Sequence, residues 1–119
     1  MALVLGLDLG TSAVKALVIN EQGKIMASAS KSYPLIQPRT DWSEQDPETW
    51  WDGVLNVVNK ILSLDDIEGK SIRALALSGQ MHGSVFLDEK GQVIRFPLLW
   101  KWTGTMSNRK SLGVLIIVL

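Results

Sequence analysis

The sequence contains no cysteine, and this absence excludes both a disulfide framework and a metal site built on cysteine. Lysine plus arginine and aspartate plus glutamate number 12 each, so there is no net charge to attract nucleic acid or an acidic membrane surface. No apolar run approaches the roughly 20 residues needed to cross a bilayer, and the first residues lack the basic segment of a signal peptide. We therefore expect a cytoplasmic protein with neither nucleic-acid nor membrane partners.

The length of 119 residues corresponds to one small domain or to part of a larger one. Alternating and helix-periodic apolar patterns predict an α/β chain in the order βββ-α-β-β-β. We expect the first three strands to form an antiparallel meander, and the fourth strand, which is mostly apolar, to be buried. The predicted strands cover residues 3–9, 13–20, 25–33, 72–78, 84–88 and 93–100, and the predicted helix covers residues 47–63.

The predicted helix has a clear start signal and a wide apolar face. Asp46 suits the N-cap, and Pro47 fits the first helical position. Apolar residues then recur at helical spacing in two adjacent rows, which predicts that a broad face packs against the sheet. The first row is Trp50, Val54, Val57 and Ile61, and the second row is Trp51, Leu55, Val58 and Leu62.

The most informative segment is Asp-Leu-Gly-Thr-Ser, where an apolar strand ends in a carboxylate and a turn. Asp8 can hold a hydrated magnesium ion, because Mg²⁺ prefers oxygen ligands. Gly10 can adopt positive φ, and the hydroxyl groups and turn amides of Thr11 and Ser12 suit an anion. Lys15 adds positive charge for a terminal phosphate. The same residue types are common in ordinary hairpin turns, so the pattern alone leaves both interpretations open.

A second group, Gly-Gln-Met-His-Gly, follows the fourth predicted strand. Gln80 and His82 can each donate and accept hydrogen bonds, and Met81 offers an adaptable apolar wall. Trp100 ends the last predicted strand and is a candidate wall for a ligand to stack on. Ligands of open α/β sheets bind beyond the carboxyl ends of the strands, so this set suits a small polyhydroxylated molecule. A glycine-framed turn with one satisfied histidine is the alternative interpretation.

Taken together, these segments resemble the amino-terminal part of the FGGY carbohydrate kinases, and most of all their xylulokinase branch. Each motif alone is modest, but they occur in the family's order over about residues 3–100. Gln-Met-His-Gly is the element that favours xylulose over glycerol. The matching segments are residues 6–12 with Lys15, residues 33–35, residues 42–51, residues 78–83 and residues 97–100.

The resemblance implies the amino-terminal part of an actin-like, ribonuclease-H-like ATPase domain, with ATP and Mg²⁺ as cofactors. It implies no catalytic residue in this chain, because the family's general-base aspartate lies in a later part with no counterpart here. Asp8 would be the metal ligand. The residues implied to contact the ATP phosphates are Asp8, Gly10, Thr11, Ser12 and Lys15. The residues implied to contact the sugar are Gln80, Met81, His82 and Trp100.

The implied reaction is ATP-dependent phosphorylation of a ketopentose, D-xylulose to D-xylulose 5-phosphate, in a full-length parent for which a homodimer is one compatible assembly. One alternative is a kinase remnant without catalytic activity. Another is an Hsp70-like or actin-like ATPase module, since those proteins share the Asp-x-Gly-Thr opening. We do not associate Trp-Ser-Glu-Gln-Asp-Pro or Gln-Met-His-Gly with such modules, so these segments favour the sugar kinases.

After Trp100 the family continues with Asn-Asp-x-Arg-Thr, whereas this chain reads Lys-Trp-Thr-Gly-Thr. We therefore divide the chain into residues 1–100, the partial kinase domain, and residues 101–119, a tail outside the family pattern. A frameshift is the expected origin of the tail. Because the second half of the family's cleft has no counterpart here, we expect the isolated chain to be inactive.

The apolar end of the tail generates a first prediction. Deleting residues 112–119 should raise the soluble yield, because the run Val-Leu-Ile-Ile-Val-Leu is uncharged, β-prone and prone to aggregate. The measurement is the soluble fraction of the full and the shortened chain after expression to equal total level. Equal soluble fractions would contradict the prediction.

Overall fold

A computed structural model of the chain describes residues 1–38, 40, 43–79 and 85–96. The order of its elements, βββ-α-β-β-β, confirms the order predicted from the sequence. The strands are β1 (Leu3–Leu9), β2 (Ala13–Asn20), β3 (Ile25–Ser32), β4 (Ile72–Gly79), β5 (Phe86–Leu87) and β6 (Val93–Arg95), the helix is α1 (Pro47–Leu62), and a short 3₁₀ helix covers Gly69–Ser71.

The chain divides into two compact units. The first unit comprises Met1–Tyr33 and Glu48–Gly79, and its sheet has the strand order β3-β2-β1-β4. β1 pairs antiparallel with β2, and β2 pairs antiparallel with β3, so the predicted meander is confirmed. β4 pairs with β1 in parallel, which makes β1 a central strand. We call residues 10–12, which connect β1 to β2, the hairpin loop.

The core of the first unit lies between one face of the sheet and α1. Alternate strand residues are buried, because successive side chains of a strand point to opposite faces. α1 begins at Pro47, as predicted. None of the described helices combines the length and the apolarity that a membrane crossing requires. The buried core residues are Leu3, Leu5, Leu7, Val14, Ala16, Val18, Ala27, Ala29, Tyr33, Val57, Ile61 and Ile67.

The apolar face of α1 is narrower than predicted. Trp51, Leu55 and Leu62 of the second row are 59%, 42% and 43% exposed. Consecutive helical residues are about 100° apart around the helix axis. The second row lies one position after the first, so these three of its side chains turn away from the sheet. The line of closest contact instead includes Gly53, which is buried together with Val57 and Ile61.

The expectation that the fourth strand is buried is wrong. Leu75 and Leu77 of β4 are 57% and 46% exposed. Among the described residues β4 is an edge strand with β1 as its neighbour, and the strand residues of the buried cluster come from β1, β2 and β3. A mostly apolar strand sequence therefore identifies the strand but does not reveal how well its faces are covered.

The second unit contains the β5–β6 hairpin, which is shorter than predicted. Oδ1 of Asp88 accepts hydrogen bonds from the amides of Lys90 and Gln92 at 2.8 and 2.9 Å, so the chain turns at Asp88 instead of continuing the strand. The last strand ends at Arg95, and its predicted extension through Phe96 is wrong. Pro97 follows Phe96 in sequence, and a proline cannot donate to a strand ladder. The rest of the predicted strand lies outside the described residues.

The segment between β3 and α1 also belongs to the second unit. Ile36 and Glu44 exchange two backbone hydrogen bonds of 2.8 and 2.7 Å, which close the segment into a loop. Gln45, next to this pair, is completely buried. Glu44, through its backbone, and Gln45, through its burial, therefore have a structural role in this loop.

Gly53 generates a stability prediction. A Cβ at this position would lie 2.9 Å from Cγ1 of Val14, which is fully buried. Gly53→Ala should destabilise the fold by about 1 to 2 kcal/mol, because overpacking exceeds the gain of about 1 kcal/mol in helix propensity. The measurement is the free energy of unfolding in urea.

Two matched variants separate packing from propensity. Asn56→Ala, on the exposed side of α1, should leave the free energy of unfolding unchanged or slightly increased. In a Val14→Ala background, which removes Cγ1, Gly53→Ala should become neutral or stabilising. A destabilisation of equal size in both backgrounds would contradict the steric explanation.

Candidate functional site

Two charged side chains flank the hairpin loop. Asp8 near the end of β1 and Lys15 near the start of β2 are direct partners across the strand pair, and both are exposed. Neither forms an ion pair within the described part of the chain, so both charges can meet a ligand. The structure thus brings together Asp8, the hairpin loop and Lys15 as the sequence pattern suggested, and their role towards ATP stays a prediction.

The backbone of the hairpin loop is held at both ends. The amide of Gly10 donates to the carbonyl oxygen of Ala13 at 3.0 Å. The amide of Tyr33 donates to the carbonyl oxygen of Ser12 at 3.1 Å. The hydroxyl group of Tyr33 donates to the carbonyl oxygen of Gly10 at 2.7 Å. These bonds give the first and last carbonyl groups of the loop a partner each.

The reason for glycine at position 10 differs from the sequence-based expectation. Among the described glycines, positive φ occurs at Gly23 and Gly91 and not at Gly10. A Cβ on Gly10 would instead lie 3.1 Å from the carbonyl oxygen of Ala13. Glycine is therefore favoured because the loop is tight, and the expectation of a left-handed conformation is wrong.

Tyr33 is a site residue that sequence reasoning missed. It directly follows β3 and is 7% exposed. Burial, and to a lesser extent the negative charge of Asp8, raises the pKa of Tyr33 to about 12. The available signal was the alternation of β3, because Tyr33 lies at the same parity as the buried Ala27 and Ala29. The signal was weak, because Lys31, which lies between them at that parity, is exposed.

The strand register extends the site into a polar row across the sheet. Across the sheet, Ser30 of β3 pairs with Lys15 of β2, and Lys15 pairs with Asp8 of β1. On its other side Asp8 pairs with Ser78 of β4. All of these residues line an open groove of about 730 Å³ on the first unit. Ser30 and Ser78 were missed because their alignment depends on inter-strand register, which the sequence does not state.

The donor set at Asp8 fits magnesium. The described residues contain no cluster of three acidic or histidine side chains that could hold a metal, and Asp8 is a single carboxylate. Mg²⁺ is commonly held by one or two carboxylates together with phosphate oxygens and water. An exposed carboxylate beside a candidate phosphate loop is therefore compatible with Mg²⁺ bound as a complex with a nucleotide.

The predicted sugar-contacting residues Gln80, Met81, His82 and Trp100 lie outside the described residues. Their starting point is described: Gly79, the last residue of β4, is the parallel partner of Leu9 at the end of β1. The carboxyl ends of β1 and β4 therefore lie side by side, and the chain leaves β4 next to the start of the hairpin loop. The sugar contacts stay a prediction.

Comparison with known proteins gives this arrangement a family. The sequence model of the FGGY family of carbohydrate kinases, N-terminal domain, matches residues 3–116. The chain belongs to the FGGY family of carbohydrate kinases. The match covers the hairpin loop, both charged residues and all described strands. The predicted boundary at residue 100 is a separate question and stays a prediction.

Several FGGY kinases are similar to this chain. The xylulose kinase of Bacillus subtilis (strain 168) is 45% identical over 105 residues, which are 88% of this chain and 21% of that protein. The glycerol kinase of Polaromonas naphthalenivorans (strain CJ2) is 32% identical over 102 residues, 85% of this chain and 20% of that protein. The chain thus spans about a fifth of the length of these relatives.

Solved structures agree with this assignment. A crystal structure described as a xyloylose kinase from Brucella ovis superimposes with a TM-score of 0.77 and 39% identity, covering 82% of this chain and 21% of that one. The structure of ligand-bound xylulose kinase from Lactobacillus acidophilus superimposes with a TM-score of 0.76 and 33% identity. That match covers 84% of this chain and 20% of that one. The fold is therefore the amino-terminal part of the actin-like ATPase domain of sugar kinases, as expected from the motifs.

Tyr33 is the only tyrosine in the chain, so its titration can be followed directly by tyrosinate absorbance. We expect a midpoint near pH 12 in the folded chain and near pH 10 in denaturant. Asp8→Asn should lower the folded midpoint without restoring the denatured value, because burial, the larger cause, remains. Glu21→Gln, an equal charge change in the exposed β2–β3 turn, should leave it unchanged.

The same shift predicts a dependence of stability on pH. A tyrosine pKa raised by folding means that the native state favours the protonated phenol, so this stabilisation is complete below pH 10. It is lost as the pH rises from 10 through the folded pKa of about 12. The free energy of unfolding of Tyr33→Phe should lack this component, and an identical alkaline decline in both chains would contradict the assignment.

Proposed function

We propose that this chain is the amino-terminal part of an ATP-dependent ketopentose kinase that converts D-xylulose to D-xylulose 5-phosphate. Membership of the FGGY family supports ATP as phosphoryl donor. The names of its relatives from Bacillus subtilis and Staphylococcus xylosus, both xylulose kinases, support the sugar. Because the chain spans about a fifth of their length, the activity belongs to the full-length parent.

The observation that carries the proposal is the pairing of Asp8 with Lys15 beside the fixed hairpin loop. Phosphoryl transfer depends chiefly on positioning and on neutralising the charge of the phosphate oxygens. The ammonium group of Lys15 would contact a terminal phosphate, and the carboxylate of Asp8 would hold Mg²⁺, whose charge would offset that of the phosphate oxygens. Thr11 and Ser12 would supply further donors to the phosphates.

The proposed reaction forms a bond between the terminal hydroxyl oxygen of the sugar and the γ-phosphorus of ATP. The bond between that phosphorus and the β–γ bridging oxygen breaks, and ADP leaves. The hydroxyl proton passes to a general base, an aspartate expected in the remainder of the family's chain. Gln80, Met81, His82 and Trp100 would orient the sugar. The residues of this chain therefore bind and position, and the proton acceptor lies elsewhere.

A graft tests the proposal. Residues 3–100 replace the equivalent segment of the Bacillus subtilis xylulose kinase, and formation of sugar phosphate from D-xylulose and MgATP is measured. We expect the graft to be active, whereas the 119-residue chain alone forms no sugar phosphate. Glycerol should be a much poorer substrate than D-xylulose.

Variants of the graft locate the function. Asp8→Asn and Lys15→Met should each lower kcat about 100-fold, the size expected when one charge-stabilising group is removed. Glu21→Gln is the matched control and should leave kcat unchanged. A folded graft without activity, or variants at Asp8 and Lys15 with full activity, would contradict the proposed site. Preference for glycerol would contradict the proposed sugar.

A further inference from the structure

We infer that Tyr33 is a positioning residue for phosphate binding, which fixes the hairpin loop by holding its first and last carbonyl groups. The inference rests on the proposed function and adds to it a residue outside the loop and its charged pair. Tyr33 would not contact the nucleotide. It would act through the backbone of the loop that does.

The geometry that carries this inference is a double contact from one residue. The amide of Tyr33 donates to the carbonyl of Ser12 at 3.1 Å, and its hydroxyl donates to the carbonyl of Gly10 at 2.7 Å. One rigid side chain and its own backbone thus span the loop. An aromatic side chain has two rotatable bonds, so holding it in place costs little conformational entropy.

The two carbonyl groups matter because of their charge. A carbonyl oxygen carries partial negative charge and would repel a phosphate that approached it. An anion site on a loop therefore needs backbone amides towards the ligand and carbonyl oxygens engaged elsewhere. The hydroxyl of Tyr33 gives the carbonyl of Gly10 such a partner on the side of the buried ring, which favours one orientation of that peptide group.

The ring of Tyr33 is itself fixed by the helix. A Cβ built on Gly53 of α1 would lie 3.5 and 3.6 Å from ring atoms Cδ1 and Cε1, so the helix backbone passes close to the ring. With 7% of its surface exposed, the ring has little room to change rotamer. The position of the hydroxyl is therefore set by the packing of α1 against the sheet.

The hydroxyl also stays a donor. Burial and the charge of Asp8 hold the pKa of Tyr33 well above its ordinary value, so the phenol is protonated at neutral pH. The carboxylate of Asp8, whose negative charge contributes to the raised pKa of Tyr33, thus favours the donor form. This agrees with the geometry, in which the hydroxyl donates to a carbonyl oxygen.

The test uses the 119-residue chain and compares Tyr33→Phe with Ser63→Ala. Tyr33→Phe keeps the ring and the backbone amide and removes one hydroxyl donor. Ser63→Ala removes a hydroxyl that donates to the carbonyl of Lys60, also at 2.7 Å, at the far end of α1. Amide hydrogen exchange in the hairpin loop is measured by NMR at Gly10, whose amide donates to the carbonyl oxygen of Ala13, with the amides of β1 and β2 as a reference for global stability.

We expect Tyr33→Phe to speed exchange in the hairpin loop about tenfold relative to the strand reference, the effect of losing one hydrogen bond to a partly buried carbonyl. Ser63→Ala should leave the loop unchanged. Equal loop exchange in Tyr33→Phe and the unsubstituted chain would overturn the inference. A uniform acceleration over loop and strands would also overturn it, because it would indicate a general structural role.

A titration with magnesium and inorganic tripolyphosphate separates this inference from the proposed function. We expect loop amide shifts in the unsubstituted chain and about tenfold weaker affinity in Tyr33→Phe. Binding of equal affinity in both chains would overturn the role of Tyr33 and leave the proposed site standing. Absence of binding in the unsubstituted chain would count against the proposed function, and a phosphate role for Tyr33 would fail with it.

Discussion

The register of β1 against its two neighbours is the constraint on which the site depends. β1 is paired with β2 on one side and with β4 on the other, and its alternate leucines fill the core. Because strand side chains alternate between faces, a slip of one residue would exchange the buried and exposed sets. The burial of Leu5 and Leu7 therefore holds Asp8 on the open face, beside Lys15 and Ser78.

The second layer of the structure is coupled to the same loop through one aromatic ring. α1 can approach the sheet closely at Gly53, where a Cβ would meet Val14 and the ring of Tyr33. Tyr33 in turn donates two hydrogen bonds to the loop between β1 and β2. A change in how the helix lies on the sheet is therefore transmitted to the loop backbone without a change in any loop residue.

Sequence patterns identified what depends on local chemistry. Alternation revealed the first three strands, proline chemistry revealed the start of α1 at Pro47, and the order of acid, glycine and hydroxyl residues revealed the hairpin loop. Features that depend on how closely separate elements pack against each other could not be predicted from these patterns. The exposure of Leu75 depends on what covers an edge strand, and the contact of Gly53 depends on the distance between layers. Neither the cover over a strand nor the distance between layers can be calculated from the amino-acid composition.

In the candidate site, too, the residues fixed by local sequence were predictable and those fixed by long-range pairing were not. Asp8 and Lys15 were predictable because they flank one short turn, so any hairpin brings them together. Ser78 joins them through pairing of strands distant in sequence, and such a pairing can take several registers until a core fixes it. Residues 80–82, assigned from family resemblance, stay a prediction.

The way the loop is built has a consequence for the kinetics of folding. β1, β2 and β3 are consecutive, so the hydroxyl of Tyr33 bonds to a residue 23 positions away. Pairing of β4 with β1 instead joins residues about 70 positions apart, such as Leu9 and Gly79, and requires β2, β3 and α1 to be synthesised first. Local contacts form faster than distant ones, and a ribosome delivers them first. We therefore expect the meander to fold first, and the hairpin loop to be among the earliest parts of the nascent chain to acquire its final backbone.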